Sequence, residues 1–302
     1  MTAKNEGRER FRLRDLPVLI KDTVVALMKD DPWRLSAVVA YYAVLSLPGL
    51  LVIVITMLTS IWEGDIVEGR IYNEIKETMG ESTADSIKSI MANSQSDDSS
   101  LFATIIGLGA LIFGATGVFY HLQISLNRIW GVVSEPKSQF LRYVLDRSKS
   151  FGFVIIIGFL LLTSFIVSAL LKALQVYIVE WFPDISYYLL LVSQFVISLG
   201  VITLLFALVF KYLPDVIIGW RSVWVGAIIT SLLFTGGKEI LSYYFSEASP
   251  GSVYGAAGSI VIVLLWVTYS CLILFFGAEF TRVYTNRYGH KFRAKSHARL
   301  NK

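Results

Sequence analysis

Lys238 and Glu239 stand side by side inside an apolar run that extends from Ser222 to Phe245. Within the ~30 Å hydrocarbon layer of a bilayer each charge is costly, and by default it marks a site for an ion, a proton or a substrate. About 26 Å of helix separates Ser222 from Glu239, which places the pair in the outer third of a membrane. Lys238 has a stem long enough to reach the interface. Glu239 is shorter and is expected to turn inward, sharing a face with Thr235, Gly236, Ser242 and Tyr243. A second candidate is "LSLPGLL", with Pro48 and Gly49 near the middle of an apolar run. Proline removes a backbone hydrogen bond and glycine relaxes the chain, so the pair marks either an ordinary kink of a membrane helix, the commoner case, or an interrupted helix. Interrupted helices near the midplane hold ions and substrates in many transporters.

Other chemistries lack their residues. "GGK" at 236–238 is not a phosphate loop, because Leu232 stands where the first glycine belongs and Glu239 where Ser or Thr is required. His121, His290 and His297 are scattered, with no HExxH or CxxC spacing and no GxSxG elbow. The single cysteine, Cys271, allows no intrachain disulfide. The expectation is therefore a protein that is not an enzyme, with no catalytic residues, no cofactor and no metal site.

The elements that must position these residues follow from composition. The chain is 55% hydrophobic and 17% charged, with a mean hydropathy of +0.61, whereas a soluble domain is nearer a quarter charged. Its apolar residues are gathered into six long runs, roughly 35–62, 101–120, 151–174, 187–210, 222–245 and 254–280. Continuous apolarity of this length predicts helices, not the alternating strands of a membrane barrel. The fold class expected is an all-α integral membrane protein with six transmembrane helices. The first 34 residues are charged and hold no uninterrupted apolar stretch, so the first run is expected to act as an uncleaved anchor.

Charge sets the orientation. Of 27 Lys and Arg residues, 22 lie in 1–34, 121–150, 211–221 and the tail from Thr281, and three lie in the 63–100 loop. The basic side is the cytoplasmic one. Both termini are thus expected in the cytoplasm of a cell with the protein in its inner (plasma) membrane. Trp33, Trp62, Trp181 and Trp220 fall at the ends of the runs, as an aromatic belt requires.

Three segments lie outside the spans. In the cytoplasmic segment 1–34, Leu16, Leu19, Ile20, Val24, Leu27 and Met28 recur at helical spacing and predict an amphipathic helix on the inner leaflet. "DDPW" then restarts the chain, with Asp31 at the N-cap position and Pro32 as first helical residue. The acidic outer loop 63–100 has nine acids against three bases and predicts two further amphipathic helices, followed by the polar linker "NSQSDDSS". The tail 281–302 holds seven basic residues and no acid, which suits anionic lipid at the inner surface better than nucleic acid. The partners expected are membrane lipids, with a second copy of the chain as a further candidate and no nucleic acid. The membrane domain itself spans 35–280.

Small residues Ala103, Gly107, Ala110, Gly114 and Gly117 form a stripe on the second run, and Gly251, Gly255 and Ser259 open the sixth. Such stripes let helix backbones approach closely in lipid. "AYYAVLSLPGLLVIVI", "SLNRIWGV" (Ser125–Val132) and "SPGSVYGAAGSIVIVLLWVTYSCLILFFGAEFTRVY" (Ser249–Tyr284) together resemble the bacterial YihY/BrkB family of inner-membrane proteins. The resemblance covers nearly the whole chain. It implies a six-helix membrane protein, formerly labelled ribonuclease BN, with links to virulence and a suggested role in moving lipid or envelope components. It carries no catalytic residues across; Pro48, Gly49, Asn127, Arg128, Gly255 and Glu279 match as marks of the family.

Asn127 and Arg128 end the second span on the cytoplasmic side, and Glu279 and Arg282 end the sixth there. They are expected to form one inner polar network, a gate or a staple joining the two spans. The candidate transport path or gate is thus Pro48, Gly49, Asn127, Arg128, Lys238, Glu239 and Glu279. The function expected is transport or lipid handling without an intrinsic ATPase. A non-transporting envelope scaffold is the alternative, and a ribonuclease ranks last because no metal or acid–base constellation supports one.

Overall fold

The computed structural model describes residues 11–59, 101–134, 183–248, 258–289 and 292–300, with separate helical positions between 69 and 88. In chain order the elements are α1 (Leu16–Met28), α2 (Pro32–Thr59), α3 (Leu101–Ile129), β1 (Val132–Ser134), α4 (Pro183–Tyr212), β2 (Val216–Ile217), α5 (Trp220–Ala248), α6 (Gly258–Tyr288), β3 (Arg293–Ala294) and β4 (Ala298–Leu300). The chain is mostly helical. Among the described residues, three stretches are long and apolar enough to cross a membrane: Phe195–Tyr212, Trp220–Phe245 and Gly258–Tyr288. Helices α2 and α3, 28 and 29 residues long, run through two more of the expected spans. The expected span 151–174 lies outside the described residues, as do Trp62, Trp181, Gly251 and Gly255. Trp33 and Trp220 are both exposed, as belt residues should be.

The chain divides into two compact units. The first consists of Met1–Asp30, Leu126–Leu233 and Phe276–Lys302. Here α1 starts with a proline in its first turn, where a missing N–H costs nothing. It buries Leu19, Thr23 and Leu27 at four-residue spacing, and the Thr23 hydroxyl is spent on Leu19 O at 2.7 Å. Leu19 packs with Phe280 and Tyr284, and Phe11 meets the rings of Tyr284 and Tyr288 edge-on at 5.6 and 5.7 Å. The expected apolar stripe is divided: Ile20, Val24 and Met28 are exposed together with Val18 and Val25. The helix therefore has an apolar face on each side, one packed on α6 and one left open.

Within the same unit α5 and α6 cross through a reciprocal contact. A Cβ added at Gly226 would fall on Thr281 Oγ1, and one added at Gly277 would fall on Thr230 Oγ1. Each threonine hydroxyl donates to the carbonyl four residues earlier in its own helix, Thr230 to Gly226 and Thr281 to Gly277, both at 2.7 Å. The hydroxyls are thus satisfied internally while their side chains fill the groove over the partner helix's glycine. Close backbone approach of this kind is how membrane helices associate without a hydrophobic drive. Contacts run Gly226 to Thr281 and Thr230 to Gly277, so the two helices are antiparallel. A hydrogen bond of 2.7 Å between Thr203 and Ser231 ties α4 to α5.

The tail is built in. β1 pairs antiparallel with β4, with Val132 opposite Leu300, and β2 pairs antiparallel with β3, with Val216 opposite Ala294. Gly131, at φ +61°, reverses the chain between α3 and β1, a conformation glycine adopts without a Cβ penalty.

The second unit consists of Asp31–Ser125 and Phe234–Phe275. α2 begins at Pro32, and Asp31 before it has φ 54°, in the left-handed region that Asp tolerates better than most residues. Among the described stripe residues, Gly114 and Gly117 make the expected close approach: Gly114 sits against Ser46, at 2.6 Å from an added Cβ to Ser46 Cβ, and Gly117 against the Tyr42 ring. Tyr42 also stacks on His121, with ring centroids 4.8 Å apart. Between residues 69 and 88 the described positions are helical, with Tyr72 donating to Asp85 at 2.9 Å and Lys76 pairing with Glu81 at 2.7 Å.

Candidate functional site

Polar side chains of the first unit gather where α3 ends, where α4 turns into α5, and along the tail. Asp215 is at the centre. Its backbone N–H donates to Asn127 Oδ1 at 2.7 Å, and Asn127 Nδ2 donates back to Asp215 Oδ2 at 2.8 Å. The other carboxylate oxygen, Oδ1, faces His297 Nε2 at 3.0 Å, and Lys295 N–H donates to the Asp215 carbonyl at 3.0 Å. Asn127 and Asp215 are buried, at 6% and 1% exposure. A buried carboxylate is tolerable only when its lone pairs are taken, and here α3 and the tail take them. Burial by itself would raise the Asp215 carboxyl. The hydrogen bonds from His297 and Asn127, with the charges of His297 and Lys295, outweigh it and hold the group below the ordinary carboxylate range.

That lowering has a pH signature. A carboxyl whose folded pKa lies below its unfolded value of about 3.9 stabilises the fold fully above that value. The contribution is lost as pH falls through the lower, folded value. Amide exchange across residues 293–300, followed by mass spectrometry, is expected to show protection that holds from about pH 5 upward and disappears only on stronger acidification. Loss of protection already near neutrality would mean that Asp215 does not hold the tail.

The inner polar network expected between α3 and α6 is divided. Asn127 turns to Asp215. Arg128 pairs with Asp30, Nε to Oδ1 at 3.3 Å, in the link between α1 and α2. Glu279 pairs within its own helix, accepting at Oε1 from Arg282 Nε at 3.1 Å and Nη2 at 2.5 Å. Asp30 is near enough for its charge to act on Glu279, so the two ion pairs are electrostatic neighbours. Glu279 is wholly buried and its second oxygen, Oε2, has no hydrogen-bond partner among the described residues. The reason lies in helix phase. Gly277 and Thr281 face α5, and Glu279 between them is turned about 200° away from that contact.

One expectation is corrected and one is narrowed. Glu239 does not face the interior: it is exposed, and Lys238 beside it is half-buried. The phase of α5 here is set by Gly237, which is buried with the Tyr269 hydroxyl where a Cβ would stand. Two residues on, Glu239 is turned outward, next to Ile240 at 73% exposure. Of the two readings at Pro48 and Gly49, the interrupted helix is the one not found, for α2 runs unbroken from Pro32 to Thr59. A proline removes one rung of the backbone ladder, and membrane helices commonly continue past it.

Sequence reasoning passed over two signals. "GAIIT" (Gly226–Thr230) and "GAEFT" (Gly277–Thr281) share one pattern, which marks the α5–α6 crossing. They also show Glu279 to be the odd residue, since Ile228 holds the matching position and is 47% exposed. Asp215, in "YLPDV", had no local signal, because its partners lie 88 and 82 residues away. Among the described residues no group of three His, Cys, Asp or Glu side chains is placed to hold a metal ion.

Comparison with known proteins places this arrangement. The profile of the family described as virulence factor BrkB matches residues 23–301. A UPF0761 membrane protein of Alteromonas mediterranea is 27% identical over 256 residues, covering 84% of this chain and 83% of its own. One from Psychromonas ingrahamii is 28% identical, covering 80% and 79%, and one from Aeromonas salmonicida is 28% identical, covering 80% of each chain. No solved structure gives a significant match. The matched residues run from within α1 to the end of β4, and the chain is a member of the virulence factor BrkB family.

Proposed function

We propose that the protein moves or rearranges a lipid-like envelope component within the inner (plasma) membrane, with no ATPase of its own and with both termini in the cytoplasm. The observation that carries this reading is Glu279: a fully buried acid with one unpartnered oxygen, in a helix long and apolar enough to span a bilayer. A buried acid with an unsatisfied oxygen is a poor structural element, and replacing it by a packed apolar residue would be neutral or stabilising. Ionisable groups kept at such positions serve pathways and relays. The open apolar face of α1, with Val18, Ile20, Val24, Val25 and Met28 exposed, supports contact with the membrane surface. Arg293 and Arg299 on the tail strands are exposed as well, with the positive charge that attracts anionic lipid.

The test is lipid movement in vesicles. Purified protein in liposomes carrying a fluorescent phospholipid is expected to speed transfer of the label to the outer leaflet, where an impermeant reductant quenches it. Glu279→Gln is expected to bring the rate down to that of protein-free liposomes at equal incorporation. A wild-type rate equal to that of empty liposomes would reject lipid movement and leave the envelope scaffold as the reading.

A further inference from the structure

We propose that Glu279 is a proton-binding site, with Oε2 as the atom that takes the proton and Arg282 as the charge that its occupation releases. This deepens the transport reading by naming a ligand for the buried acid.

The geometry separates the two carboxylate oxygens. Both guanidinium contacts from Arg282 converge on Oε1, and Oε2 is buried without a donor among the described residues. Arg282 does not grip the carboxylate as a fork across both oxygens, which is the usual stable pairing of these groups. The site thus has one neutralised oxygen and one open lone pair. The charged groups around it are Arg282 on its own helix, Asp30 after α1, and Arg128 on Asp30. Asp30 adds a second negative charge, which favours uptake of a positive one.

A proton fits this site better than a metal ion or sodium. A metal ion needs several oxygen or nitrogen donors, and Oε2 stands alone with a guanidinium on the neighbouring oxygen. A proton needs a single lone pair and no coordination shell. Its binding forms one O–H bond at Oε2, breaks one in the hydronium ion that delivers it and leaves as water, and raises the net charge of the site by one. The Glu279–Arg282 pair then becomes a contact between a neutral acid and a cation. Glu279 cannot leave, being fully buried, whereas the Arg282 side chain is 27% exposed and has a way out. Proton binding therefore frees a guanidinium at the cytoplasmic end of α6, ready for an anionic group.

The test is infrared difference spectroscopy on the full-length protein in nanodiscs, titrated with acid. Wild type is expected to gain a protonated-carboxyl C=O band that is absent from Glu279→Gln. Asp30→Asn, which leaves Glu279 in place, is expected to move the midpoint of that band to lower pH, because a repelling charge is gone. Arg282→Gln is expected to move it upward by about one pH unit or more, a tenfold change in proton affinity. Exchanging sodium for a bulky organic cation is expected to change nothing. A band that survives in Glu279→Gln, a midpoint blind to both Asp30→Asn and Arg282→Gln, or a midpoint that follows sodium would each overturn the assignment. The readout needs no transported substrate, so it fails separately from the liposome assay.

Discussion

Gly277→Ala is expected to destabilise the protein by about 3 kcal/mol, the upper part of the range for overpacking a close contact. The added Cβ would fall on Thr230 Oγ1, with Thr230 Cβ and Cγ2 both 2.8 Å away. Neither helix can yield easily. The Thr230 hydroxyl is tied to Gly226 O, and the mirror contact of Thr281 over Gly226 pins the crossing one turn away. Against a total stability of about 5–15 kcal/mol, such a loss should lower the yield of folded protein as well as its melting temperature. Thr230→Ala clears two of the three colliding atoms, so the double mutant should recover more than half of the loss. Unfolding of the purified protein in detergent, run as a double-mutant cycle, measures this coupling. Additive effects of the two substitutions would show that the reciprocal crossing does not hold the helices together.

The second large effect is expected at Asp215. Removing its carboxylate leaves Asn127 Nδ2 without its acceptor in a buried position and takes away the acceptor for His297, while the bond from the Asp215 N–H to Asn127 Oδ1 does not depend on the side chain. Unpaired buried polar groups cost about 1–3 kcal/mol each, so Asp215→Ala should undock the tail, whereas Asp215→Asn, which keeps the shape, should loosen it only in part. The measurement is trypsin cleavage at Arg293, Lys295 and Arg299. Inverted membrane vesicles should show rapid cleavage of the alanine variant and slow cleavage of wild type, and intact spheroplasts should show none. Equal rates for wild type and Asp215→Ala would mean the network does not hold the strands. Cleavage from outside the spheroplasts would reverse the proposed orientation.

What the sequence determined by itself is the part governed by solvent. Long apolar runs with few charges can satisfy their backbones in lipid only as helices, and the described helices follow those runs. Small-residue spacing likewise marked the α2–α3 approach at Gly114 and Gly117 before any partner was known, because closeness depends on what is missing from a side chain. The start of α2 at Pro32 was legible from the local rules of helix ends.

Tertiary structure alone decided which charged residues matter. Lys238 and Glu239 stood out as adjacent charges in an apolar run, yet the fit of Gly237 against Tyr269 sets the rotation of α5 and turns Glu239 outward. Glu279, read as one member of a wider inner network, is isolated on one oxygen because the Gly277 and Thr281 contact turns it away from α5. Asp215 and His297, ordinary loop and tail residues in the sequence, become partners only when a two-residue strand and a three-residue strand pair the tail with loops far behind it in the chain. Helix formation depends on neighbours a turn away, so it can be read locally. Helix rotation and the pairing of distant polar groups depend on which surfaces meet, and those are settled only when the helices pack.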